Sequence, residues 1–497
     1  MSAERVEPLP ARRFAHGAAL AVVLTAMASP PAIAQVPGGR CKLEFTNTPS
    51  TRLRSVQVAG GRYESFIGGG VVAHCIGQDV TLTSDSAEYY ETRNMIILLG
   101  SVHYNEPRAR LDSRKLTYFM TDERLYAEGD VFVTLPSGTT MKGPNVEYFR
   151  AVKGVRPQSR MWAPQRSLTR LAQKDSAGTP QEPVQVQGDR TLGLNDSLVF
   201  LGGRVTIDRS DINSTADSAR LDAGTNFAQL VGNGVVRGKG SRAYTLEGSV
   251  IDLFTRDRQL EQVKAKGSAR AIGRDFDLQS DTILMRVDSN RIERAQAWGK
   301  KRALVISPGR RMMADSLDVH MPHQHVRLVR ALREAFAESD PDSLKIHSKE
   351  RDWIRGDTII AEFDSIPPRD TTAASHVKSI IATGAARSYY QMAAANGVQD
   401  RPSVNYVRGS LITVRFDSAG VRTVQVDEKA VGLYLEPTRD TVLTTSKSTA
   451  ASAAKSAARS AARSAAKNGT ANASKAGAPA PAKSPPTAQD AKPRGTP

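Results

Sequence analysis

Along most of the chain, apolar and polar residues alternate one for one. Around Gly129 the apolar set is Leu125, Ala127, Val131 and Val133, and between them stand Glu128, Asp130 and Thr134. Around Gly267 the same parity holds Val263, Ala265, Ala269 and Ala271, against Lys264, Lys266 and Arg270. A period of two marks a β-strand with one face buried and one face wet. The segment 326–337 is rich in helix-forming residues. Its Val329, Ala331, Ala335 and Ala337 nevertheless keep one parity, so it too is predicted as strand.

The alternation comes in copies. A small-x-Gly-x-apolar unit recurs around Gly100, Gly129, Gly203, Gly267, Gly299 and Gly384, with a degenerate copy centred on Gly234. Two further copies, Ala331–Ala335 and Val426–Ala430, lack the glycine. From Gly203 the centres advance by 31, 33, 32 and 34 residues to Arg333. Polar pairs such as Asp85-Ser86, Asp112-Ser113, Asp217-Ser218, Asp281-Thr282 and Asp315-Ser316 recur between them. These read as turns, because Asp and Ser bond their own backbone. A unit of about 30 residues cannot bury its face alone, so neighbours must stack into an elongated β structure. The small residues beside each central glycine predict a narrow fold or an internal groove. Between Gly129 and Gly203 the repeat is interrupted, and 155–190, rich in Pro, Gln, Arg and Ser, reads as a linker or outward loop.

The ends differ from this body. Residues 1–34 read as a signal peptide: Arg12 and Arg13, an apolar run from Ala18 to Ala28, then Ala32-Ile33-Ala34 as cleavage site. Eleven apolar residues fall short of the roughly 20 that span a bilayer. The mature chain is therefore expected to be exported, periplasmic and without a transmembrane span. In that compartment Cys41 and Cys75 invite one disulfide, with two unpaired buried thiols as the alternative. Residues 442–497 read as a disordered tail rich in Ala, Lys, Arg and Pro. Between the ends, 35–154 and 191–441 are expected to be two runs of repeats flanking the linker.

Composition changes little except for charge. There are 68 Lys and Arg against 51 Asp and Glu, a formal net charge of +17. Nine bases and one acid lie in 442–497, so nearly half the excess sits on the tail. In the tail Lys455, Arg459, Arg463 and Lys467 stand four apart, a basic stripe at helical spacing. With an export signal ahead of it, that charge points away from nucleic acid and towards anionic lipid or cell-wall polymer. His320, His323 and His325 straddle Pro322 and read as a solvated corner, not a metal site. No nucleotide fingerprint or nucleophile elbow is present. No catalytic residue, metal or cofactor is assigned. An enzyme of this pattern would be a polysaccharide lyase or hydrolase on a β-helix, but the stacked Asn or aromatic ladders of that fold are missing.

Two stretches carry a family resemblance. Ser84-Asp85-Ser86-Ala87-Glu88-Tyr89-Tyr90 through Gly100-Ser101-Val102, and Leu111-Asp112-Ser113-Arg114-Lys115-Leu116-Thr117-Tyr118 through Gly129-Asp130-Val131, resemble the OstA-like (LptA-like) family. The pattern returns from Ala216 to Val236 and, more weakly, to about Tyr434. The resemblance implies an all-β, elongated β-jellyroll of two facing sheets, a β-taco, holding lipid acyl chains inside. It implies lipopolysaccharide or a similar glycolipid as cargo. Its implied partners are LptC-like and LptD-like jellyroll components, joined by edge-strand pairing, in a bridge towards the outer membrane. The lipid-facing set would be Ile96, Leu98, Val102, Tyr104, Leu116, Tyr118, Val131, Val133, Leu201, Val205, Leu230 and Val236. Arg108, Arg110, Arg114 and Lys115 would meet head-group phosphates. A β-solenoid scaffold or polysaccharide-binding protein is the alternative, with the twelve residues filling a closed core.

Overall fold

The computed structural model describes residues 40–437 apart from 175–177, 241–242, 258, 275, 343, 365–375, 394–400 and 418–419. The expected signal peptide and basic tail lie outside the described residues. Within them the protein is all-β. Twenty-six strands join in one antiparallel sheet, and the regular exceptions are two single 3₁₀ turns, Glu91–Arg93 and Pro322–Gln324. The segment read against its helix propensity is the strand Leu328–Ser339.

The sheet is folded along its length. Most strands run 10 to 17 residues and bend in the middle, so each contributes to two arms. In Met95–Glu106, for example, Met95–Leu99 pairs with Lys115–Phe119 on the first arm, and Val102–Glu106 pairs with Ala109–Ser113 on the second. The bend is a β-bulge with two residues set against one. Gly100-Ser101 oppose Arg114, Gly129-Asp130 oppose Pro144, Gly203-Arg204 oppose Asp217, and Gly384-Ala385 oppose Ser410. Both residues of each pair have positive φ, as do Gly232-Asn233, Gly267-Ser268 and Arg333-Glu334. Bulges of this kind bend a strand and strengthen its twist.

Glycine is required here for two reasons, as Gly203 shows. Its φ is +76°, and a Cβ there would stand 2.6 Å from Asp189 Oδ2. Arg333 and Glu334 adopt the same left-handed backbone without that relief.

Three expectations are corrected. The Asp-Ser pairs are not reverse turns between strands: Asp112-Ser113, Asp217-Ser218 and Asp281-Thr282 sit mid-strand, at or beside the bend. The degenerate copy is centred on Gly232-Asn233, not Gly234. Most of 155–190 is not a linker. Arg160–Ala163 and Ser167–Lys174, then Pro180–Gly188 and Arg190–Leu194, pair into the sheet on both arms. Their breaks at 164–166 and 189 fall where other strands bend, so this stretch is one more repeat without a central glycine.

Hydrophobic burial forms two clusters. One extends from Cys41 to Ala163 and the other from Val184 to Val414, each drawing on both arms. Cys41 and Cys75 are disulfide-bonded with Cα atoms 5.1 Å apart, joining the chain before Leu43–Thr46 to the end of Tyr63–Cys75.

Candidate functional site

Parity carries the inner face through the bend. In bulged strands the two extra residues keep the same parity inward, so Leu98 and Val102, Ala127 and Val131, and Leu201 and Val205 all face the interior. The inner faces thus form one apolar lining on two arms. All twelve residues of the sequence-derived set lie on it, each at most 3% exposed. Eight belong to the first cluster and four, Leu201, Val205, Leu230 and Val236, to the second. In this structure they pack on protein atoms.

Beside the bend the two arms differ. On the second arm the row is small: Ala269 pairs with Ser280, Ala303 with Ala314, Ala335 with Gly356 and Ala386 with Gly409. On the first arm small and large alternate, as Ala265, Ile283, Ala297, Leu317, Ala331, Ile359, Ala382 and Ile412 pair in succession. Apart from the half-buried Gly356 and Gly409, these residues are buried. Small side chains on one arm let the other approach, as at Gly188, where a Cβ would stand 3.2 Å from Leu201 Cβ. The small residues therefore make a narrow, filled fold.

The free rims of the arms, opposite the bend, carry groups that no motif marked. Arg150 Nε donates to Glu106 Oε2 at 2.9 Å, and its Nη1 donates to Glu123 Oε2 at 2.7 Å. Its Nη2 donates to Gln78 Oε1 at 2.9 Å. Tyr148 donates to Glu106, Tyr118 donates to Glu123, and the Cys41 amide donates to Glu123 Oε1. Glu106 ends one second-arm segment and Gln78 follows another, whereas Glu123 and Arg150 adjoin first-arm segments. The cluster thus clasps the rims together, with Arg150, Glu106 and Glu123 side chains 8%, 6% and 1% exposed. Burial raises the phenol pKa of Tyr118 and Tyr148, so both stay neutral donors. Burial works against the Arg150 charge, but the Glu106 carboxylate beside it favours the guanidinium, and its pKa is raised.

The basic residues suggested for phosphate contact are dispersed. Arg114 pairs with Asp130, and Lys115 Nζ stands 3.0 Å from Glu128 Oε2, both near the outside of the bend. Arg108 lies in the turn at the second-arm rim, and Arg110 points outward from that arm. The histidines do not converge: His320 Nε2 is 3.3 Å from Asp318 Oδ2, while exposed His323 donates its amide to Glu293.

No family model matches the sequence, and no curated protein matches it. One similar solved chain is LptH from Pseudomonas aeruginosa, described as the LptA homologous periplasmic component of the conserved lipopolysaccharide transport device. The two are 19% identical over 22% of this chain and 80% of LptH, with a TM-score of 0.20. The likeness takes in only part of this chain.

A second feature that sequence reading missed lies on the outer face. Phe336, Trp353, Tyr389 and Tyr406 stand on four successive strands. The available signal was aromatic residues at the polar parity, beside inward Ala335, Ile354, Ser388 and Val407.

Proposed function

We propose that this protein is a non-enzymatic, exported carrier. Its cargo would be lipopolysaccharide or a related glycolipid, moved through the periplasm towards the outer membrane. The observation that carries the reading is the inward apolar lining, kept in phase through successive bends on both arms. A multi-acyl lipid needs apolar surface that continues along its chains, and each CH₂ buried is worth about 0.8 kcal/mol. No reaction chemistry is required. Since the lining is packed shut here, loading means that the rims part and acyl chains replace contacts between the arms.

The sheet ends support the bridge part of the reading. At the start, Arg52–Gln57 is an exposed outer strand, and at the finish Val431–Leu435 is exposed on both faces with Leu433 and Tyr434 more than half accessible. Strands with one unpaired edge can extend a sheet into another protein, here LptC-like or LptD-like jellyroll partners.

Site-specific photo-crosslinking in cells tests the proposal. Probes at Leu98, Val131 and Leu230 should give lipid adducts, and probes at outward Glu128 and Asp130 should not. Adducts absent from all inward positions would sink the carrier reading.

A further inference from the structure

The outer aromatic row extends across the second arm. Trp353 pairs in register with Tyr389, and Tyr389 pairs with Tyr406. The Trp353 ring lies 6.2 Å from that of Tyr389, nearly parallel at 10°, 6.2 Å from Tyr406 and 6.4 Å from Phe336. Arg355 stands over Trp353 at 5.7 Å. The inward neighbours Ala335, Ile354, Ser388 and Val407 are buried, which sends these four rings to the outside. Four adjacent strands at about 4.8 Å spacing make a strip roughly 14 Å long.

Beside the strip is an open groove of about 640 Å³, lined by Arg311, Glu338, Glu350, Arg351, Trp353 and Tyr389. Its polar groups are held by each other. Arg311 and Arg351 each stand 2.7 Å from Glu338 Oε1, Arg351 Nε is 2.8 Å from Asp340 Oδ1, and Tyr389 donates to Glu350 at 2.8 Å. Flat apolar rings thus lie among fixed donors and acceptors of both charges. A pyranose has the complementary surface: an apolar C–H face, and hydroxyls at its rim that both donate and accept. A polyanion would meet Glu338, Glu350 and Asp340. A bilayer would gain little from a groove framed by paired charges.

We propose that this groove binds an oligosaccharide chain, with sugar faces stacked on Trp353 and Tyr389 and hydroxyls bonded by the Arg–Glu frame. The site is on the outer face and does not depend on lipid entering the interior. Its ligand has two possible sources, the sugar part of a glycolipid and a cell-wall glycan.

Saturation-transfer NMR on the full mature chain distinguishes these, using three probes. They are delipidated oligosaccharide released from lipopolysaccharide by mild acid, muramidase-released peptidoglycan fragments, and chitohexaose. Transfer from the first alone assigns the glycolipid source, and transfer from either of the others assigns a wall-type glycan. In each case Trp353→Ala and Tyr389→Ala should weaken binding at least tenfold, Trp353→Phe should recover part of it, and Trp298→Ala should leave it unchanged. No transfer from any probe at millimolar concentration overturns the proposal. So does binding indifferent to Trp353→Ala in a variant with wild-type circular dichroism. Trp353-dependent association with phosphatidylglycerol vesicles in place of sugar binding overturns it as well, as does Trp353-dependent capture of a protein without sugar binding.

Discussion

Arg150 and Glu106 meet at 2.9 Å between the free rims of the two arms, and both side chains are more than nine-tenths buried. The guanidinium is shared with Glu123, whose carboxylate also receives the Cys41 amide. The rims are therefore locked beside the disulfide, in the part of the lining that contributes Tyr104 and Tyr118.

Arg150→Ala leaves two carboxylates buried without a counter-charge. The expected loss is about 3–5 kcal/mol of local stability, read as faster amide exchange in 102–106, 116–119 and 145–149. Combining Arg150→Met with Glu106→Gln and Glu123→Gln should return much of it, because removing all the charges also removes their desolvation cost. Unchanged exchange in Arg150→Ala would mean that the rims do not rely on this cluster.

Reduction, or Cys41→Ser with Cys75→Ser, releases a bridge spanning 34 residues. The chain-entropy relation puts the loss at about 3–4 kcal/mol. Exchange should quicken across Leu43–Thr46 and Tyr63–Cys75, and protection beyond residue 200 should stay as it was. A uniform loss along the whole sheet would contradict this local account.

Gly203→Ala forces a β-carbon against the Asp189 carboxylate and into left-handed backbone. A destabilisation of about 1–3 kcal/mol is expected, by thermal or urea unfolding. Gly203→Ala with Asp189→Ala should recover part, since the carboxylate clash is relieved while the 2.9 Å approach to the residue-189 β-carbon and the left-handed backbone remain. The same substitution at Gly178, which has open space around it, should be milder because only backbone strain remains.

Asp352 has its pKa raised to about 6, chiefly by burial, with the Gln391 bonds pulling the other way. An acid raised above its unfolded value favours folding while protonated. That contribution is present below about pH 4 and is lost as pH rises through about 6. Asp352→Asn should thus stabilise the protein at pH 7.5 by about 1–2 kcal/mol, allowing for partial exposure, and make little difference at pH 3.5. Equal melting shifts at both pH values would refute the assignment.

How much of this was legible depended on how each strand bends. Bulged strands keep their parity, so Leu125 to Val133 reads as unbroken alternation and its inner face can be taken directly from sequence. The strands opposite them set a single residue at the bend, and parity reverses there. In Ile212–Asp222 the buried residues run Ile212, Ser214, Ala216 and then Ala219. A broken alternation around Asp217-Ser218 has the same signature as two short strands joined by a turn, which explains that misreading. The repeat broken at 164–166 was missed because Pro164, Gln165 and Arg166 have loop chemistry and no glycine marks the place. The Arg150 cluster was beyond local patterns altogether. Its direct hydrogen bonds join residues as far as 82 apart in sequence, whose meeting is decided only once the arms fold together.

The ladder also acts as a ruler. Each strand touches chiefly the strands before and after it, so a hairpin can be inserted or removed without redesigning the others. One hairpin adds about 10 Å, and roughly 22 strand positions on each arm give a span on the order of 100 Å. Reach is thus set by simple addition, and duplication of one repeat would lengthen the molecule in a fixed increment.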